Sequence, residues 1–267
     1  WGGKVGDEWA AHADSIDAML HDMSQSALDA ADLRPGERVL DIGCGAGGVS
    51  MEIARRVSPG GTVVGVDISP QLLAAARARA GDLPVQFREA DAGADDLGPA
   101  FDAAFSRFGI MFFENPTRAF AHIRSSLREQ GRLVFVCWRQ MAENTWTTLP
   151  VEAIAPMFTA PLARPDPDAP GPFAFADPKK IERILADAGW SDIAITTWDG
   201  AISVGGGGAI EDIAEFLLRI GPCARAITDQ ALDRVEAKAR LVERLGPIYA
   251  EGAVKLAAAC WIVSAKA

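Results

Sequence analysis

Val39-Leu40-Asp41-Ile42-Gly43-Cys44-Gly45-Ala46-Gly47-Gly48 is the stretch that decides the fold. Val39, Leu40 and Ile42 read as a short buried strand, the glycines as a tight turn, and Gly48 as the start of a helix reaching 57. Glycine lets a backbone turn sharply and approach a ligand with no Cβ in the way. The amide N–H groups that open the following helix can meet a carboxylate. Gly43, Gly45 and Gly48 also satisfy the dinucleotide spacing G-x-G-x-x-G, which is a weak signal alone. Asp41 separates the options, because a carboxylate two residues before the first glycine repels a diphosphate and suits a ligand that carries positive charge instead.

Outward from this turn, strands and helices alternate. Apolar runs at 38–42, 62–66, 85–87, 101–105 and 132–138 predict strands, with helices over 48–57, 71–80 and 117–129 between them. Ser58-Pro59-Gly60-Gly61 and Gln130-Gly131 mark turns. This alternation predicts right-handed βαβ units and a parallel sheet. Upstream, 7–31 reads as helical. Downstream, proline-rich 140–176 reads as a loop with one short helix near 151–158. Beyond it lie a helix over 178–188, a strand over 193–198, a glycine run at 205–208, helices near 210–220 and 229–245, and a closing strand over 254–265. Segments 140–176 and 205–248 are expected as cap insertions over a substrate cavity. Arg124, Arg128 and Arg132 fall at helical spacing and are expected to form a solvated helix face.

The 267-residue chain is 49% apolar and 23% charged, which suffices for a sizeable core. Its net charge of -10 disfavours nucleic acid and anionic membrane surfaces as partners. Cys44, Cys137, Cys223 and Cys260 form no C-x-x-C pair, so buried reduced thiols are expected rather than a disulfide framework or a metal site. Neither a secretory leader nor a membrane-spanning run is read, and a cytoplasmic location is expected.

Four further segments repeat the strand-end pattern: Val63-Val64-Gly65-Val66-Asp67-Ile68-Ser69, Phe87-Arg88-Glu89-Ala90-Asp91-Ala92, Phe101-Asp102-Ala103-Ala104-Phe105-Ser106-Arg107-Phe108-Gly109, and Gly131-Arg132-Leu133-Val134-Phe135-Val136-Cys137-Trp138. An acidic residue at the end of the second strand, here Asp67, can accept both ribose hydroxyls of a nucleoside. Ser69 and Pro70 read as the cap and first position of the next helix, which leaves Asp67 for the ligand.

In this order and spacing the five elements resemble the class I S-adenosylmethionine (SAM)-dependent methyltransferases, within them the bacterial group related to the quinone-biosynthesis methyltransferases. The resemblance is strong over 35–138. It extends more loosely to the Trp1-Gly2…Gly6…Trp9 segment and the strand with Trp261-Ile262-Val263. It implies an α/β fold: a Rossmann-like, seven-stranded, mostly parallel sheet with helices on both faces and an antiparallel last strand, plus helical cap insertions. It implies a single domain over 1–267, with 1–31 as an N-terminal helical cover and 35–138 as the SAM-binding core. It implies that Asp41, Gly43, Cys44, Gly45 and Gly47 surround the methionine part of SAM, and that Asp67 binds the ribose with Ile68 beside the adenine. Asp91 would receive the adenine amino group and the Ala92 amide a ring nitrogen, while Ser106, Arg107 and Phe108 would line the end of the fourth strand near the sulfonium. Glu129-Gln130-Gly131 stands where the family often has Pro-Gly-Gly, a change of turn only.

SAM is thus the expected cofactor and S-adenosylhomocysteine (SAH) its product. The expected partner is a small-molecule acceptor, apolar or aromatic in view of Met111, Phe112, Phe113, Trp146, Met157 and Phe158, with the chain a monomer or homodimer. Methyl transfer requires in-line positioning, and it requires a base only if the acceptor arrives protonated. Arg107, Trp138 and His21 are the candidate catalytic residues; His12, His122 and Tyr249 read as surface or packing groups. The alternatives are an NAD(P)-dependent oxidoreductase, which Asp41 and the Asp91-Ala92 pair disfavour, and a non-catalytic SAM-binding protein.

Overall fold

The parallel sheet is built on segments 39–42, 63–66, 103–106 and 133–138, which are buried on both faces as in sheets covered by helices on either side, whereas the edge segment 85–89 buries only Phe87. The computed structural model describes residues 10–98, 100–162, 166, 169–205 and 207–267. The strands are β1 (Arg38–Ile42), β2 (Thr62–Asp67), β3 (Val85–Glu89), β4 (Phe101–Arg107) and β5 (Leu127–Trp138), followed by β6 (Ser191–Val204), β7 (Tyr249–Ala250) and β8 (Ala253–Lys266). The sheet order is β3-β2-β1-β4-β5-β8-β6, with β7 paired to β8 off this path. β8 runs antiparallel to β5, with Arg132 opposite Lys266 and Trp138 opposite Cys260. The Rossmann-like arrangement expected from the sequence is therefore present, with β7 as one added short strand.

The helices are α1 (Ala13–Met19), α2 (His21–Ala30), α3 (Gly48–Arg56), α4 (Pro70–Ala80), α5 (Pro116–Ser125), α6 (Thr145–Ile154), α7 (Pro178–Asp187), α8 (Ile210–Leu217), α9 (Gly221–Asp229) and α10 (Arg234–Leu245). Three begin with one local device, a polar cap before proline. Ser69 Oγ accepts the Leu72 N–H, Asn115 Oδ1 the Arg118 N–H, and Asp177 Oδ1 the Lys179 N–H. Proline gives up an N–H that the first turn leaves without an intrahelical partner. Among the described residues no helix is long and apolar enough to cross a membrane.

The chain divides into two units. The first comprises 1–138, 170–198 and 260–267, and the second 139–169 and 199–259. In the first, Phe101, Phe105, Phe120 and Phe135 are fully buried, and Phe175 adds a tilted ring 6.1 Å from Phe120 and 6.4 Å from Phe135. In the second, buried Asn144 donates to the carbonyls of Gln140 and Ala259 and accepts the Ala259 N–H at 2.9 Å. Tyr249 donates its hydroxyl to Gly208 O at 3.0 Å, a packing role.

Several boundaries differ from expectation. The helix read over 7–31 is two helices parted at Leu20, with 7–9 outside the described residues, as are Trp1–Trp9, Pro165, Pro167 and Gly206. The helix read over 117–129 stops at Ser125, and β5 starts at Leu127 rather than 132. Phe101 pairs with Leu127, but Ala103 pairs with Arg132, so the strand bulges where Gln130 takes a left-handed φ of 66°. Arg124, Arg128 and Arg132 are consequently no helix face: Arg128 pairs with Asp102, and Arg132 with Glu37. The short helix of the proline-rich segment starts at Thr145 and carries Pro150 inside it. That segment is split between units, with Phe175 in the first core. The helix read over 229–245 starts only at Arg234; Asp229 instead ends α9, a helix over 221–229 that the sequence did not suggest, and Ala231 at a φ of 49° lies between the two.

Candidate functional site

The carboxyl ends of β3, β2, β1 and β4 lie side by side, the position where open α/β sheets bind ligands. The β1–α3 turn is tied down first. Val66 O accepts the N–H groups of Gly43 at 2.9 Å and Cys44 at 3.0 Å, and Cys44 O accepts the Gly47 N–H. Gly43, Gly45 and Gly47 all take positive φ, at 66°, 54° and 80°. Their surroundings differ. A Cβ on Gly43 would lie 2.7 Å from Gly109 Cα, and one on Gly47 would lie 2.8 Å from Phe87 Cζ. A Cβ on Gly45 would meet no atom within 4 Å. Gly43 and Gly47 are thus required by packing, whereas Gly45 offers an open approach to its backbone. The Cys44 side chain packs with Met51, Leu73 and Phe87, and its thiol donates back to Gly45 O at 3.8 Å.

Two carboxylates frame this turn. Asp41 is 1% exposed and accepts a 2.5 Å hydrogen bond from Ser50 Oγ. Burial pushes its carboxyl up to about 6, against the pull of the Ser50 hydroxyl and the Arg107 charge. Asp67 accepts the Gly45 N–H and the Ser69 N–H, each at 2.9 Å, and burial also raises it. Ser69, not Asp67, caps α4. Ile68, beside Asp67, is 54% exposed. Asp67 lies opposite Glu89 in the β2–β3 register, which brings Asp91 and buried Ala92 to the same edge. Exposed Asp91 closes a small turn, accepting the Gly93 N–H and donating its own to Asp95 Oδ2. His122 Nε2, on α5, bonds to Asp95 O at 2.8 Å.

At the end of β4, fully buried Ser106 donates its hydroxyl to Ile42 O at 2.8 Å, locking β4 to β1. Phe108 follows in the left-handed region at φ 64° and stacks on Trp138, with centroids 4.2 Å apart and planes 9° from parallel. Arg107 donates to Asp17 Oδ1 at 2.7 Å and Ser24 Oγ at 3.3 Å. Of the candidate catalytic residues, Arg107 is therefore engaged by α1 and α2, Trp138 is buried against Phe108, and His21 is exposed at the start of α2. Two residues were not marked by the sequence: Ser50, which only its place in the first turn of α3 could have suggested, and Asp17, which no local signal marks. Among the described residues no cluster of three His, Cys, Asp or Glu could hold a metal ion.

Residues 39–131 match the family described as a methyltransferase domain. The chain is 38% identical over 116 residues to nocamycin O-methyltransferase of Saccharothrix syringae, covering 42% of this chain and 41% of that protein. It is 39% identical over 111 residues to demethylmenaquinone methyltransferase of Thermus thermophilus, covering 40% of this chain and 50% of that protein. These matches span half or less of the relatives' length. A phosphoethanolamine N-methyltransferase of Haemonchus contortus, solved with SAM, superposes with a TM-score of 0.56 at 19% identity. The superposition covers 96% of this chain and 57% of that one.

Proposed function

We propose that the chain, whose residues 39–131 match a methyltransferase domain, is a class I SAM-dependent methyltransferase that transfers the SAM methyl group to a small-molecule acceptor in the cytoplasm. The observation that carries this reading is the pairing of a buried anion, Asp41, with a glycine turn in which a Cβ at Gly45, unlike one at Gly43 or Gly47, would meet no protein atom within 4 Å. An anion held in the interior at a cost to the fold marks a site built for a cation. A diphosphate would meet repulsion there.

When bound, SAM supplies a methyl group on a positively charged sulfur for in-line displacement. Asp41 presents negative charge to the cationic end, and the Gly43–Gly47 backbone receives the amino-acid portion. Asp67, with both oxygens already oriented by the Gly45 and Ser69 N–H groups, accepts from the ribose hydroxyls. Ile68 supplies an apolar surface to the adenine, Asp91 accepts from its amino group, and the Ala92 N–H reaches a ring nitrogen. Ser106 holds the β4 end in place, while Phe108 and Trp138 offer an aromatic wall to an apolar acceptor. An acceptor arriving as an amine or stabilised carbanion needs no base from the chain.

Calorimetry tests the assignment: SAM and SAH should bind in the micromolar range and NAD(H) and NADP(H) should not, and the reverse result removes it. Labelled SAM with a fractionated metabolite extract should then yield one labelled small molecule. A protein that binds SAM tightly and labels nothing in any fraction is a binding protein instead.

The Asp41 carboxyl sets a pH dependence. A cation binds the ionised form, so SAM affinity should fall about tenfold per pH unit below 6 and level off above 7. The carboxyl's own contribution to stability has the opposite sign. It is fully present below 3.8, the ordinary value, and is lost as pH rises through about 6. Affinities between pH 5 and 8 that show no such limb would contradict the role. Ser50→Ala removes the hydroxyl that favours the charged form, so the midpoint of that profile should move up by about one pH unit. An unmoved midpoint would mean that this hydrogen bond does not tune the carboxyl.

A further inference from the structure

A guanidinium stands close to the charge that the cofactor site uses. Asp41 lies opposite Phe105 across β1 and β4, and the two-residue pleat returns Arg107 to the face Phe105 occupies. Positive charge there opposes a positively charged donor. The first unit supplies a counter-ion from an element distant in sequence. α1 carries Asp17, whose Oδ1 accepts from Arg107 Nη2 at 2.7 Å and whose Oδ2 accepts from Arg79 Nη2 at 2.7 Å. Arg79 is itself fixed on the glycine turn, donating to Ala46 O at 2.6 Å, and it also pairs with Asp14. The Asp17 carboxylate lies so close to the start of α3 that a Cβ on Gly48 would stand 2.0 Å from Oδ2. The Asp17 and Arg107 side chains are 24% and 16% exposed, so their charges are only partly screened by water. The Arg107 charge pulls the Asp41 carboxyl down and the Asp17 charge pushes it up, which places all three within electrostatic reach of one another.

We infer that Asp17 is the counter-ion that makes Arg107 compatible with a sulfonium, and that it thereby sets the preference of the site for the methyl donor over its demethylated product. The inference rests on the SAM-binding reading above. Asp17, Arg107 and Asp41 together carry one net negative charge; without the Asp17 charge, Arg107 cancels Asp41. SAM and SAH share the adenosine, the ammonium and the carboxylate, and differ only in the methyl group and the positive charge on sulfur. A change of local charge therefore acts on SAM and largely spares SAH. Loosening α1 would weaken both alike. Asp17 in this role is a positioning residue that acts through Arg107.

The test is the ratio of SAH to SAM dissociation constants, measured by calorimetry on the full chain. Asp17→Asn should weaken SAM about tenfold and SAH less than about threefold. Adding Arg107→Met to Asp17→Asn should return the ratio to within about threefold of the parent, because the two changes act on one ion pair. Arg107→Met alone should shift the ratio the other way, toward SAM, and this keeps the test decisive if Asp17→Asn fails to fold. Equal weakening of both ligands by Asp17→Asn, or a ratio unmoved by Arg107→Met, overturns the inference while leaving the cofactor assignment intact. A parent protein that binds neither ligand removes the cofactor assignment itself.

Discussion

An Asp41→Asn protein is expected to bind SAM at least about a hundredfold more weakly than the parent, yet to unfold at no lower temperature at pH 7. The two effects part because the carboxylate costs the fold what it gives the ligand. Its acidity is displaced from 3.8 to about 6 by burial, so keeping it ionised at neutral pH costs on the order of 3 kcal/mol, at about 1.4 kcal/mol per unit. Asparagine is nearly isosteric, carries no charge and can still accept the Ser50 hydroxyl, so the apo protein loses no packing and sheds that cost. The ligand loses its counter-charge in a desolvated setting, where an ion pair is worth several times its value in water. Thermal melting of the apo protein with SAM titration of the same sample checks both halves. An affinity loss under about threefold would remove Asp41 from cofactor binding. A melting point several degrees lower would show that the carboxylate is a structural group instead.

The half of the fold that carries the glycine turn was legible because its signals are local. β1, β2 and β4 are short runs of Val, Ile, Leu, Ala and Phe bounded by turn residues, and α4, α5 and α7 each open on a polar cap followed by proline. The candidate site residues at strand ends were proposed from the same pattern. The errors fall where tertiary contacts override local preference. Leu127–Gly131 has polar spacing suited to a helix, yet it pairs with Phe101 and bulges at Gln130. Pro150 should end a helix and does not, and Asp229, read as the start of a helix, ends one instead, with the next opening only at Arg234. Nor could spacing have separated Gly43 from Gly45, because the difference lies in what each faces. Asp17 was invisible for the plainest reason, since its partner Arg107 is 90 residues away along the chain.

That difference between the glycines supplies the other large expected effect. Gly43→Ala should cost the fold several kcal/mol, enough to lower the melting temperature by about 10 °C or prevent soluble expression. Two terms add: about 1–2 kcal/mol for a side chain in the left-handed region, and a Cβ 2.7 Å from Gly109 Cα, where the obstacle is backbone and cannot swing aside. The crossing is reciprocal, since a Cβ on Gly109 would lie 2.9 Å from Gly43 Cα and 2.8 Å from Ile42 O. Gly109→Ala, whose backbone does not take positive φ, should therefore also destabilise through contact alone. Gly45→Ala is the contrasting case. Its φ of 54° carries the left-handed strain, but its Cβ meets nothing in the protein. It should melt within a few degrees of the parent and lose at least about tenfold in SAM affinity, because the new methyl occupies the approach to the turn. Melting and SAM binding on the three variants separate the roles. A Gly43→Ala protein as stable as the parent, together with a Gly45→Ala protein that binds SAM normally, would mean that the turn neither needs its crossing with Gly109 nor receives the cofactor.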